Sequence, residues 1–346
     1  MNDENKILGN PEEKKVIDDL LKQAKADKLI NGVIEEEEKD RISKFGDITG
    51  LEEIEFDTRN LPRIHKTLAF HPDGEHVLLS SSYKKAVSAY TFNREDPSRG
   101  LRLYAGMRLA DLSVAAFSPD GRCVATVTGN HVLGLHRFYK NEMSPSRAFR
   151  SLASIEVPSL AEIVAVHNDH NNVAAVHIAV VLDDNHIVMY EFNGKDIKEV
   201  QRQQWFNTNI YDIAFYQKGK FLALAKQSKK NSAIEFHGIN LLMGIDEMYK
   251  DYQNANPFYS IDFSLDNSYM AAGGVDGIAI FYLEQYPFPE INIGFKDIKR
   301  VVNRYSIGTI NSVSFDPKGD YILALDGNNE ARLLKILRAG VRAGRR

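Results

Sequence analysis

The 346-residue sequence predicts an all-β fold, a β-propeller of about six four-stranded blades with an α-helical N-terminal extension. Three observations predict it. A strand-turn-strand phrase recurs along the chain, its copies are evenly spaced, and a lone alternating strand stands before the first copy, where closure of a ring requires one.

The phrase is clearest as TLAFHPDGEHVLLSSS from Thr67 to Ser82, SVAAFSPDGRCVATVT from Ser113 to Thr128 and NSVSFDPKGDYILALD from Asn311 to Asp326. Weaker copies are YDIAFYQKGKFLALAK at Tyr211, YSIDFSLDNSYMAAGG at Tyr259 and EIVAVHNDHNNVAAVH at Glu162. The apolar residue before each turn marks the phase: Phe70, Phe117, Val166, Phe215, Phe263 and Phe315, at intervals of 47, 49, 49, 48 and 52. Such spacing lies just above the ~40 to 45 residues of a WD-type unit.

Within each unit, alternating residues such as Leu68 and Phe70 face one side, and Pro72, Asp73 and Gly74 supply turn chemistry. Third strands are expected at AVSAYTF from Ala86, HIVMYEF from His186, GIAIFYL from Gly277 and EARLLKI from Glu330. Polar outer strands are expected at Leu101 to Tyr104, at Ile197 to Gln201 and after Ile291. The strand at Leu51 to Thr58 then completes the last blade, which has only three strands of its own. The count is six blades, with seven as the alternative.

The phrases AFSPDGRCVATV, GGVDGIAIFY and SFDPKGDYILAL make residues 51–337 resemble the WD-repeat family. That resemblance implies a propeller that binds other proteins. The Trp-Asp pair is replaced, with Tyr90, Tyr190, Phe236 and Phe281 at the tryptophan place, and Arg108, Asn254 and Ser306 stand near the Gly-His place. Asp276 alone matches the turn aspartate well.

Residues 1–50 form an acidic extension and linker with 13 Asp or Glu against 9 Lys or Arg. Asn10, Pro11, Glu12 and Glu13 make a good helix start, and Val16, Leu20, Leu21 and Ala24 share one face, which docks on the propeller or on a partner. Glu35 to Glu38 reads as solvated linker. Residues 338–346 form a basic tail, and Lys335 to Arg346 holds five basic residues and no acid, leaving nucleic acid an uncertain partner through the tail alone.

The start of the chain lacks the pattern of a secretory signal, and no apolar run approaches the ~20 residues of a membrane span. A single cysteine, Cys123, favours a reducing compartment. Cytoplasm or nucleus is therefore the expected location, with no membrane association.

No catalytic, cofactor-binding or metal-ligating residue is assigned. His167, Asp169, His170 and His177 have the residue types of a metal site, yet the repeat puts His167 to His170 in a turn. Asp183, Asp184 and His186 fall in a strand connection, Cys123 reads as a small core residue, and Ser80 to Ser82 lacks a nucleophile elbow. The expected function is a non-catalytic protein-interaction scaffold or subunit of a multi-protein assembly. Propeller lactonases, sugar-lactone hydrolases with similar units such as the segment Leu68 to Leu103, are the enzyme alternative.

Overall fold

The computed structural model describes residues 48–338 except 60, 62–66, 82–84, 110–111, 143, 169–174, 217–218, 229–230, 241–243, 255 and 284–300. The expected helix from Asn10, the acidic run at Glu35 and the tail beyond Arg338 lie outside the described residues. The only helical segments among the described residues are two three-residue turns, Pro97–Arg99 and Pro145–Arg147.

Six four-stranded antiparallel sheets form the ring. Blade 1 contains β2 (Leu68–Phe70), β3 (His76–Ser81), β4 (Ala86–Phe92) and β5 (Leu101–Arg108). Blade 2 runs from β6 (Leu112–Phe117) through β7 (Cys123–Thr128) and β8 (Val132–Phe138) to β9 (Phe149–Glu156). Blade 3 has β10 (Ala161–Asn168), β11 (Val176–Leu182), β12 (His186–Phe192) and β13 (Ile197–Gln204). Blade 4 has β14 (Thr208–Tyr216), β15 (Phe221–Ser228), β16 (Ser232–Asn240) and β17 (Gly244–Asn254). Blade 5 has β18 (Phe258–Phe263), β19 (Tyr269–Gly274), β20 (Gly277–Tyr282) and β21 (Val301–Tyr305). Blade 6 has β22 (Ile310–Phe315), β23 (Tyr321–Asp326) and β24 (Ala331–Arg338).

The outer strand of blade 6 is β1 (Ile48–Ile54), antiparallel to β24, so the ring is stitched shut by the chain's own beginning. This is the predicted closing strand, shifted three residues earlier at its start. Ile48 and Leu51 are both buried against the Ile336 cluster, and an irregularity between Ile48 and Gly50 lets both point inward. The strand ends at Ile54, and the Asp57 carboxylate then accepts from the Arg59 backbone at 3.0 Å, forming a turn.

The core lies between and within the blades as a series of apolar clusters, each drawing on neighbouring sheets. Second strands are the most buried: every residue of β3, β7, β11 and β19 is inside, and β15 and β23 are half-buried only at one end. The aromatics at the expected tryptophan place are all interior, with Tyr190 and Phe236 at 1% exposure and Phe281 at 0%. Ring packing fills this space, as in the edge-on contact of Phe258 with Phe281 at 6.0 Å.

Arg94, just after β4, closes the seam between blades 1 and 6. Its guanidinium donates to both carboxylate oxygens of buried Asp316 at 2.6 and 2.8 Å and also reaches Asp320.

Candidate functional site: the central channel

The first strand of every blade is a sheet edge facing the ring axis, and its outward N–H groups need partners that its own sheet does not supply. The neighbouring blade supplies them through side chains. Thr67, Asp212 and Ser260 each stand three residues before the phase-marking residue of their blade. Their oxygens accept the N–H groups of Ala115 at 2.9 Å, Ile261 at 2.8 Å and Val313 at 3.2 Å, each in the next blade. Asp262 and Ser314, one residue before the marker, accept from Phe315 at 2.7 Å and Phe70 at 2.9 Å. Blades 2 and 3 place Val114, Ala116, Ile163 and Ala165 at these two positions, so their contribution to the wall is apolar.

A cavity of about 950 Å³ occupies the ring axis. At one mouth lie Pro72, Pro119, Leu265 and Pro317, from the turns between first and second strands. At the other, Tyr211 and Tyr259 meet edge-on with ring centres 5.1 Å apart, and the Tyr211 hydroxyl donates to Gln227 Oε1 at 2.7 Å.

Two carboxyl groups stand inside the cavity, half-buried because one side touches the channel. Burial pushes Asp212 up to about 7, against the hydrogen bonds it accepts from Ile261, Ser260 and Ile213, and the charge of Asp262 adds to the rise. Burial also lifts Asp262 to about 6, against bonds from Phe315, Phe263 and Ser314. Burial in the wall thus makes both acids hold their protons more tightly, and the neighbouring charge adds to the effect at Asp212 alone. Among the described residues that line the cavity, none is Lys or Arg.

The histidines noted in the sequence are placed apart from this acid pair. His167 and His177 face each other across β10 and β11, with rings stacked at 6.5 Å, both buried. His167 also lines the channel, its ring against Gly219, while Asp169 and His170 lie outside the described residues. Asp184 and His186 form a local turn contact at 2.9 Å, with Asp183 in the same turn. Burial pushes the Cys123 thiol up to about 11, in keeping with a core position on β7. Ser80 and Ser81 are buried at the end of β3, and Ser80 Oγ accepts from the Thr67 backbone at 3.1 Å.

Sequence reasoning missed two polar clusters. The first is His71, Asp73 and His76, whose ligand-type atoms lie within 4.8 Å of one another. Its bonds are those of a locked turn. His71 Nδ1 accepts from the Asp73 N–H at 3.1 Å, its Nε2 faces the Gly121 carbonyl at 3.0 Å, and Asp73 accepts from the Glu75 and His76 backbones at 2.8 and 3.1 Å. Equivalent turns hold the same shape with Ser118 donating to Asp120 at 2.7 Å and Ser264 to Asp266 at 2.6 Å. His71 stands at the place of that serine, and the Asp73 carboxylate lies 3.0 Å from Nδ1 of both His71 and His76.

The second cluster joins blades 3 and 4. Glu235 pairs with Lys226 at 2.6 Å and with His237 at 3.1 Å, and the Trp205 ring meets His237 edge-on at 4.7 Å with Lys226 above it at 5.4 Å. Burial works to raise the Glu235 carboxyl, but its bonds to His237 and Lys226 outweigh it and hold the group below the usual range. Alternation along β16 could have signalled that Glu235 and His237 share a face; the approach of Trp205 from another blade has no local signal.

Compared with models of known families and with curated proteins, the sequence matches none. What the geometry establishes is the fold, a closed ring of six four-stranded β-propeller blades around an acid-bearing channel.

Proposed function

We propose that this chain is a degenerate WD-type propeller acting as a non-catalytic scaffold inside a larger intracellular assembly, binding other proteins through its faces and its N-terminal extension. The observation that carries this reading is the engagement of the channel's polar side chains. Thr67, Asp212, Ser260, Asp262 and Ser314 all accept backbone N–H groups of the following blade. They hold the ring together, and the rigid ring offers its two faces. Each face carries an exposed apolar residue suited to a partner: Phe206 at 72% exposure and, on the opposite side, Leu265 at 61%. Purification of the tagged full-length chain from native extracts tests the proposal. A stoichiometric protein partner is expected, and recovery as a lone monomer overturns it.

One observation favours a second reading, a lactone hydrolase. Asp212 and Asp262 ionise close to neutral pH within a cavity large enough for a sugar. Turnover of a sugar lactone, abolished in Asp212→Asn, would establish that reading over the scaffold.

A further inference from the structure

The turn from β2 to β3 departs from its equivalents in the chemistry of its first residue. Blades 2 and 5 place Ser118 and Ser264 there, whose hydroxyls donate to Asp120 and Asp266. Blade 1 places His71, whose ring is engaged at both nitrogens. The Gly121 carbonyl can only accept, so the ring proton is on Nε2, and the Asp73 N–H can only donate, so Nδ1 presents its lone pair. The ring sits tightly on the next blade, since a Cβ on Gly121 would lie 2.1 Å from Nε2. Nδ1 therefore meets Asp73 Oδ1 at 3.0 Å with no proton to give it. Two lone pairs facing one another away from water are unfavourable unless a cation stands between them.

A third donor completes the set. Where blades 2 and 5 have Cys123 and Tyr269, five residues after the serine, blade 1 has His76. Its Nδ1 lies 3.0 Å from Asp73 Oδ2, and the ligand-type atoms of all three residues fall within 4.8 Å of one another. Phe117 meets the His71 ring edge-on at 4.9 Å, and Tyr104 meets the His76 ring at 5.1 Å. These walls leave the histidine side chains 5% and 9% exposed, while Asp73 at 12% keeps a path to solvent. Lys140 approaches the Asp73 carboxylate at 3.5 Å on a half-exposed arm.

We propose that His71 Nδ1, the Asp73 carboxylate and His76 Nδ1 bind a divalent transition-metal ion, Zn²⁺ by the chemistry of its ligands, at the turn of blade 1.

Two imidazoles and one carboxylate suit zinc, whereas calcium and magnesium take oxygen ligands and copper(I) prefers sulfur. Bonds of ~2.1 Å require the two nitrogens to stand within ~4.2 Å of each other, so side-chain rotations of under ~1 Å close the set. His76 then carries its proton on Nε2 and turns the Nδ1 lone pair to the ion. The bond from His71 Nε2 to the Gly121 carbonyl is the outer contact that fixes a ligating imidazole. Through it the ion ties the turn of blade 1 to that of blade 2, whose Pro72 and Pro119 line the same mouth of the channel. Lys140 competes with the ion for the carboxylate.

Titration of the untagged full-length chain with Zn²⁺ against a chromophoric chelator tests the proposal, with Co²⁺ as a spectroscopic probe. One equivalent of Zn²⁺ is expected to bind with Kd on the order of 1 µM or tighter, and Co²⁺ should give the visible absorption of a four-coordinate site. His71→Ser/His76→Tyr rebuilds the turn as blade 5 has it, with Ser264, Asp266 and Tyr269, and should fold. Its affinity should fall by more than the ~10–100-fold that loss of an outer partner costs. Lys140→Met leaves the three ligands in place and should tighten binding severalfold, because it removes a nearby positive charge. Absence of saturable Zn²⁺ binding by the wild type up to ~100 µM, two decades above the expected value, overturns the proposal. Equal affinity in His71→Ser/His76→Tyr also overturns it, by placing the ion elsewhere, and unchanged affinity in Lys140→Met does so by separating the ion from Asp73.

Discussion

Replacing Arg94 by alanine tests whether closure of the ring depends on the seam between blades 1 and 6. The guanidinium makes a two-pronged bond to Asp316, whose side chain is 0% exposed, and is itself only 15% exposed. Removing one partner of a buried pair costs about 3–5 kcal/mol, because the remaining charge has no counter-ion. Asp316 keeps the N–H groups of Lys318 at 3.3 Å and Asp320 at 3.1 Å, so the loss lies at the low end, ~3 kcal/mol. At about 2–4 °C per kcal/mol for a large domain, the melting temperature falls by roughly 6–12 °C. Urea titration of Arg94→Ala, Asp316→Asn and the double variant measures the coupling directly. The double variant should recover part of the loss, because it removes the buried charge as well. A loss in Arg94→Ala below ~1 kcal/mol, the value of a surface pair, would refute the assignment of this contact as the seam.

Three further outcomes are expected. The raised Asp212 and Asp262 make the folded chain bind more protons than the unfolded one between their ordinary value of 3.8 and their folded values of about 7 and about 6. Their contribution to stability is therefore full below that window and lost as pH rises through it, so Asp212→Asn/Asp262→Asn should gain in relative melting temperature from pH 4 to pH 7; parallel profiles for the two proteins would refute the linkage. Phe281→Ala empties a site of 0% exposure at the third-strand aromatic position and should cost about 3–5 kcal/mol in denaturant titration, a loss under ~1 kcal/mol being incompatible with a core role. Cys123, buried and with its thiol pushed up to about 11, should react with a thiol reagent at neutral pH only as fast as the protein opens, and rapid stoichiometric labelling of the folded chain would contradict its placement.

Much of the fold is legible in the sequence because each blade is a local unit. The third strands Ala86–Phe92 and His186–Phe192 have the predicted bounds, since alternation and β-branched content act over a few residues. The closing strand was recognisable from alternation after Gly50, but its first residues break the pattern that reveals a strand, because the register shifts between Ile48 and Gly50. Residues Gly277–Tyr282 read as strand for the same local reason, while the outer strand that follows is seen only as Val301–Tyr305.

The channel is a different case. Its wall follows from blade-to-blade bonds whose partners are far apart in the chain: Phe70 and Ser314 are separated by 244 residues, Thr67 and Ala115 by 48. Local pattern shows that Asp212 and Asp262 sit on first strands but not that each reaches the next blade, nor that burial there lifts their ionisation towards neutrality. The trio of His71, Asp73 and His76 is similar, because the turn motif does not show that Nε2 of His71 reaches the Gly121 carbonyl of the next blade.

The sequence by itself determined the repeat, the strand order within each blade and the means of closure, and left the number of blades at six or seven, because hydrogen-bonded hairpins obey short-range periodicity. Only the tertiary structure decided which polar side chains bind blade to blade and which acids share the channel, because these depend on how six separate sheets are brought around one axis.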